Sequence, residues 1–180
     1  MDAAEFDRND FIYSFGQVWK KLMTDPQGFF LAMPLTGGLA NPFVFATLCL
    51  LVTAIGFLVS GYGLRLSFAL ILWGVIGLFL GAALLLLIAW KLFAGKGDYE
   101  ATFRALAYAI APVVLLWIPL VRYVAALYTA YLLIVGLQRA HEFDNVKAVL
   151  TVLVTMLVGF FLTLSLSGPG RLWPPLACCM

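Results

Sequence analysis

Apolar residues fall in five long, nearly continuous runs, at Pro42–Gly61, Leu66–Phe93, Tyr99–Ile118, Arg122–Gln138 and Val146–Leu166. Each reaches or approaches the ~20 apolar residues that a helix needs to cross a bilayer core. The runs are continuous rather than alternating, which argues against the strands of a membrane β-barrel. Asn41 and Pro42 open the first run as cap and first helical residue. The second run, ~42 Å long at ~1.5 Å per residue, must tilt or emerge with Trp90 and Lys91 among the lipid headgroups. The fold class expected is therefore all-α: a polytopic membrane protein with five transmembrane helices.

Ahead of these runs the period changes. Phe11, Ile12, Phe15, Val18, Trp19, Leu22 and Met23 share one helical face, with Asn9 or Asp10 as cap and Asp25-Pro26 as the stop. The segment is too short to span, and the pattern predicts an N-terminal amphipathic helix at the membrane interface. A second short turn follows Pro26, with Phe29, Phe30 and Met33 facing lipid. Phe15, Trp19, Lys20, Lys21, Phe29 and Phe30 are the candidate membrane-surface contacts. The alternatives are a helix packed on the ends of its own spans and a partner-binding helix. Domain organisation follows: residues 1–41 form a cytoplasmic segment, 42–167 the five-span domain and 168–180 a short external tail.

Composition sharpens the class. The 180 residues are 64% hydrophobic and 11% charged, against about 25% charged in a globular chain. That excludes a soluble enzyme, a nucleic-acid binder and a disordered linker, so nucleic acid is no expected partner. A net charge of +2 creates no strong field. Of the three cysteines, Cys49 lies in an apolar run, while Cys178 and Cys179 are neighbours that cannot readily close a disulfide and do not fit the prenylation pattern. The first 40 residues show no early apolar core of a signal peptide.

Charge sets the orientation. Arg8, Lys20, Lys21, Lys91, Lys96, Arg104, Arg139 and Lys147 fall on one side of a five-span arrangement, and Arg65, Arg122 and Arg171 on the other. The positive-inside rule makes the first side cytoplasmic and the C-terminus external. Every acidic residue also falls on the cytoplasmic side. The outer face carries the aromatic anchors Tyr62, Trp117, Tyr123 and Trp173.

No Ser/His, Walker, HExxH or paired CxxC pattern occurs, and neither catalysis nor a cofactor is expected. The candidate cytoplasmic interaction face is Asp98, Glu100, Arg104, Arg139, His141, Glu142 and Asp144. Its imidazole and carboxylates have metal-ligand chemistry, but Asp144 or Asn145 capping the fifth helix and loop ion pairs to Arg139 and Lys147 account for them more simply. No ionisable side chain lies at mid-depth of a run, which argues against a proton-coupled pump. Pro112 removes a helical hydrogen bond and frees the Tyr108 carbonyl, so Tyr108, Pro112, Thr129 and Tyr131 are the candidate cavity or kink. Small residues at Ala101, Ala105 and Ala109, at Gly77 and Gly81, and at Ala126 and Ala130 permit close helix approach, within the bundle or between copies in a homo-oligomer.

The sequence Lys20-Lys21-Leu22-Met23-Thr24-Asp25-Pro26, with Phe29-Phe30 and Met33-Pro34, resembles the opening segment of prokaryotic members of the Yip family (Ypt/Rab-interacting proteins). Gly95-Lys96-Gly97, Phe103, Tyr108-Ala109-Ile110-Ala111-Pro112, Pro119, Gly136-Leu137, His141 and Ala148 extend the likeness over about residues 15 to 165. The resemblance implies five spans with a cytoplasmic N-terminus. Eukaryotic members act in vesicle traffic and bind prenylated small GTPases; the long soluble N-terminal region of those members has no counterpart here, so the GTPase partner is not carried over. The function expected is a non-enzymatic protein of a bacterial inner membrane that organises or remodels membrane, with lipids as partners, or recruits a protein at its cytoplasmic face. A small oligomeric transporter or channel is the alternative.

Overall fold

The computed structural model describes residues 6–7 and 10–167. The candidate anchors and cysteines Trp173, Cys178 and Cys179, the basic residues Arg8 and Arg171, the candidate cap Asn9 and the 168–180 tail lie outside the described residues. The elements are α1 (Phe11–Thr24), α2 (Pro26–Ala32), α3 (Ala40–Val59), α4 (Leu64–Phe93), α5 (Tyr99–Ala109), a 3-10 turn (Ala111–Leu115), α6 (Val121–His141) and α7 (Asn145–Ser167). There is no strand among the described residues.

Four helices are long and apolar enough to cross a membrane: Ala40–Val59, Leu64–Phe93, Val121–His141 and Asn145–Leu162, with mean hydropathies of 2.4, 2.7, 1.4 and 2.0. The expected third spanning helix, Tyr99–Ile118, is not one helix. The Asp98 carboxylate caps α5 by accepting from the Ala101 N–H at 2.8 Å, and the helix stops at Ala109. Pro112 lacks a donor and disfavours helical geometry in the residue before it, so it ends α5 instead of kinking it. The chain continues as the 3-10 turn, in which the Val113 N–H donates to the Ile110 carbonyl at 2.9 Å.

The broken segment nevertheless runs the length of α3. Glu100 bonds Gly38, Tyr108 packs on Phe45 with ring centroids 5.2 Å apart, Thr53 bonds Val113 and Trp117 lies on Gly56. Ala40 to Gly56 is about 24 Å of helix, so residues 99–117 cover that distance beside α3. The segment then turns at Leu120, whose φ is 67°, and α6 returns antiparallel until His141 meets Gly97. The end holding Gly97, His141 and Asp144 is the polar end; Ser60, Trp117 and Leu120 mark the opposite end.

The core is built around α5, with eight of its eleven residues buried. Its small-residue stripe is used inside the chain: Ala101 and Ala105 cluster with Ala140, and Gly136 fits against Ala105. Gly77 on α4 and Ala126 on α6 face outward instead.

α1 and α2 pack on this core. Val18 and Leu22 are buried, with Phe15, Trp19 and Met23 partly so. Phe11, Ile12 and Tyr13 at the start of α1 are exposed. Phe29, Phe30 and Met33, expected to face lipid, are 0%, 1% and 1% exposed; Phe29 packs edge-on against Tyr108 and Phe30 against Gly136. The cause is that Tyr108 on α5 and Gly136 on α6 offer these rings an apolar face within the chain. The Asp10 side chain makes no cap bond, whereas Asp25 caps α2 through the Gly28 N–H at 2.9 Å.

The outer surface is apolar. Ile55 on α3, Phe68, Trp73 and Leu80 on α4, Leu127 on α6 and Leu153, Leu157 and Phe161 on α7 are all at least half exposed. A continuous apolar belt of this kind marks contact with lipid or with other chains.

Gly56 provides a test of the broken segment. A Cβ there would meet the Trp117 ring at 2.3 Å, whereas one at Gly77 would meet nothing within 4 Å. Gly56→Ala should lose about 1–3 kcal/mol through overpacking, and Gly77→Ala should be neutral or gain up to about 1 kcal/mol. Thermal unfolding in detergent should order the melting temperatures as Gly77→Ala at or above wild type and Gly56→Ala below.

Candidate functional site: the polar end of the bundle

Two fasteners organise the polar end. In the first, α6 delivers His141, 1% exposed, onto the loop between α4 and α5. The Gly97 N–H donates to His141 Nδ1 at 3.2 Å, and His141 Nε2 lies 2.9 Å from Thr102 Oγ1. The Thr102 hydroxyl donates to the Asp98 carbonyl at 2.7 Å, so Nε2 must carry the proton in this pair. Each ring nitrogen has one partner, and the geometry selects the neutral Nε2–H tautomer. Phe143 stacks on the imidazole with an interplanar angle of 19°. Trp90 Nε1 closes the loop by donating to the Gly97 carbonyl at 2.7 Å.

The second fastener joins α5 to the loop between α2 and α3. Arg104 is 0% exposed; its Nη1 donates to the Gly38 carbonyl at 2.8 Å and lies 3.9 Å from Glu100 Oε1. The Gly38 N–H donates to that same carboxylate oxygen at 2.6 Å. Gly37 and Gly38 have φ of 128° and 89°, a region costly for any side chain with a Cβ, and this conformation turns both polar groups of Gly38 toward α5. A buried guanidinium is tolerable because it is paired and hydrogen-bonded.

The face expected from sequence therefore divides. His141 and Arg104 point inward and hold the fold. Asp98 caps α5, Glu100 bonds Gly38, and Asp144 caps α7 by accepting from the Lys147 N–H at 3.3 Å. Glu142 is exposed and receives Lys96 Nζ at 2.6 Å. That hydrogen bond and the ammonium charge, with a smaller contribution from Arg139, hold the Glu142 carboxyl below its ordinary range, and the same hydrogen bond with the carboxylate charge raises Lys96. The pair is intact at neutral pH and is lost as pH falls through the depressed Glu142 value; fully exposed, it adds little to stability. No three His, Cys, Asp or Glu side chains converge as metal ligands among the described residues.

Arg139, exposed, lies between two clefts. One, of about 450 Å³, is lined by Gln27, Phe30, Leu31, Val135, Gln138, Arg139 and Glu142. The other, of about 280 Å³, shares Arg139 and Glu142 and adds Lys96, Gly97, Asp98 and Thr36. Thr102, Gln27 and Gln138 were not singled out from sequence. Thr102 falls four residues after Asp98 and reads as an ordinary helical position; Gln27 and Gln138 are brought together only by the docking of α2 on α6.

Tyr108, Pro112, Thr129 and Tyr131 are not assembled as a cavity. Tyr108 is buried between Phe29 and Phe45, and its hydroxyl accepts from the Phe6 N–H at 3.3 Å. Pro112 is buried in the 3-10 turn, Thr129 bonds its own helix at the Ala125 carbonyl, and Tyr131 is 40% exposed beside Tyr128.

A bundle of long apolar helices with an apolar outer belt and polar groups gathered at one end is an integral membrane protein. The Yip1 domain model matches residues 20–166, and the chain belongs to that family. No curated protein and no solved structure matches it significantly.

The histidine fastener can be tested directly. Thr102→Val keeps the side-chain shape but leaves His141 Nε2–H without its acceptor, an expected loss of about 1–3 kcal/mol. Gly97→Ala should also destabilise, since a Cβ would come within 2.3 Å of the Ala140 carbonyl oxygen. Both are read as lowered melting temperature, and nitrogen NMR of His141 should report the Nε2–H tautomer in wild type.

Proposed function

We infer that the protein is a non-enzymatic membrane protein of a bacterial cytoplasmic membrane that organises or bends the bilayer and presents its polar end to the cytoplasm. The observation that carries this reading is the uneven cross-section. α1 and α2 are added to one side of the bundle from the polar end to just past its middle, where their partners are Phe45, Tyr108, Ala111, Tyr128 and Gly136, and the far end at Ser60 and Leu120 is left without them. A bundle thicker in one leaflet than in the other favours a curved bilayer. Lys20 is exposed and Lys21 half-buried on α1.

In this reading the broken segment is a fifth crossing. Its Ile110, Ala111 and Val113 carbonyls find donors within the protein, the condition under which irregular backbone is tolerated at membrane depth. The division of basic residues then places the N-terminus in the cytoplasm and the C-terminus outside. Gly77 and Ala126, which face outward, leave room for a second copy against the bundle.

Two measurements test the reading. Topology reporters fused at Met1 and Met180 should report opposite sides, cytoplasmic and external; the same side for both would remove the fifth crossing. In nanotubes pulled from reconstituted vesicles, the protein should be denser on the tube than on the flat parent membrane. Tyr128→Phe, which removes the hydroxyl donated to the Leu22 and Met23 carbonyls at 3.0 and 3.2 Å, should weaken that preference. Equal densities of the wild type on tube and parent would overturn the curvature reading.

A further inference from the structure

The charges around the two clefts are almost all spent within the chain. Lys96 pairs with Glu142, Arg104 with Glu100, and the Asp98 carboxylate is taken by the α5 cap. Arg139 differs: it is exposed, and among the described residues no hydrogen bond or salt bridge engages its guanidinium. It stands at the boundary of both clefts, five donors in a planar fork that suits a phosphate.

The larger cleft is amphipathic along its length. Its polar lining is Gln27, Gln138, Arg139 and Glu142, and its apolar lining is Phe30, Leu31 and Val135. Leu31 is 68% exposed, so the apolar wall opens sideways between α2 and α6 rather than closing over a small solute. A free phosphate would use the Arg139 end and leave the apolar wall empty; a phospholipid fits both.

We propose that the cleft between α2 and the end of α6 binds one phospholipid, with its phosphate on Arg139 and an acyl chain along Phe30, Leu31 and Val135. The negative charge of the headgroup matches the one cation lining this cleft, which no hydrogen bond or salt bridge engages among the described residues, while Glu142 on the same lining is already held by Lys96. The site is preorganised, because Phe30 is locked in the core and Gln138, next to Arg139, is held by Asn145. The proposal rests on the membrane placement inferred above and not on curvature.

The test is native mass spectrometry of the full-length protein in detergent, mixed with equal amounts of phosphatidylglycerol and phosphatidylcholine of identical chains. Wild type should retain one phosphatidylglycerol in preference to phosphatidylcholine. Arg139→Gln should reduce that retention about tenfold or more, the scale of one lost charge-assisted hydrogen bond. Arg65→Gln, at the far end of α4, should leave it unchanged. Leu31→Gln should weaken retention with the melting temperature unaltered, since the side chain lies at the surface. Inorganic phosphate in excess should fail to displace the lipid. Undiminished retention in Arg139→Gln would overturn the proposal, and displacement by inorganic phosphate would overturn the lipid as occupant in favour of a free-phosphate site. Retention in a protein that shows no preference for nanotubes would support this site while sinking the curvature reading.

Discussion

A backbone that leaves the α-helix inside an apolar bundle must find donors for the carbonyls it frees, and this requirement organises the molecule. An unsatisfied peptide group in such surroundings costs several kcal/mol. After α5 stops, Trp19 Nε1 donates to the Ala111 carbonyl at 3.0 Å. The Thr53 hydroxyl, 2.7 Å from the Cys49 carbonyl, also lies 3.0 Å from the Val113 carbonyl. Trp19 belongs to α1 and Thr53 to α3, and the Val113 carbonyl takes the Thr53 contact in addition to the Leu116 N–H at 2.9 Å. The break in the central segment is thus secured by both elements that flank it, and α1 is part of the bundle's hydrogen-bond accounting.

The short α5 has a second consequence. A helix of eleven residues carrying Ala101, Ala105 and Ala109 occupies little width, so α6 approaches closely enough for Gly136 to touch Ala105. Phe29 packs on Tyr108 at the last turn of α5, and beyond the 3-10 turn Trp117 lies on Gly56. Aromatic rings serve such contacts efficiently, each burying a large area. The end of α5, where the hydrogen-bond debt begins, is thus also part of the apolar face on which α2 docks.

The four long apolar helices were legible in the sequence because an apolar run of sufficient length has few other stable forms. The third run was as apolar as the fourth, and run length could not distinguish a helix from a helix, a 3-10 turn and a loop of equal extent. Pro112 signalled an irregularity; whether it bends or ends a helix depends on donors such as Trp19 and Thr53, which lie far away in the chain. Periodicity placed Phe15, Val18, Trp19 and Leu22 on one face, but it is silent on what covers a face, and the chain itself covers this one. At the polar end, charge located the cluster correctly without showing direction. Arg104 and Arg139 look alike in sequence, and only the packing of Gly38 over α5 turns the first inward.

That division of labour gives the polar end its chemical character. The His141 fastener pins the α4–α5 loop to α6, and the Arg104 fastener pins the α2–α3 loop to α5. Each uses its polar groups on the protein's own backbone. Two loops that would otherwise be mobile thereby become fixed walls, and polar groups inside them are no longer offered to a ligand. A group beyond the fasteners, such as Arg139, keeps its hydrogen-bonding capacity while standing on a helix that cannot shift without breaking the His141 contacts. Recognition chemistry on a rigid element is more selective than the same chemistry on a loop. For this chain the buried histidine and arginine therefore fix the frame of the proposed lipid cleft indirectly, by immobilising what surrounds it.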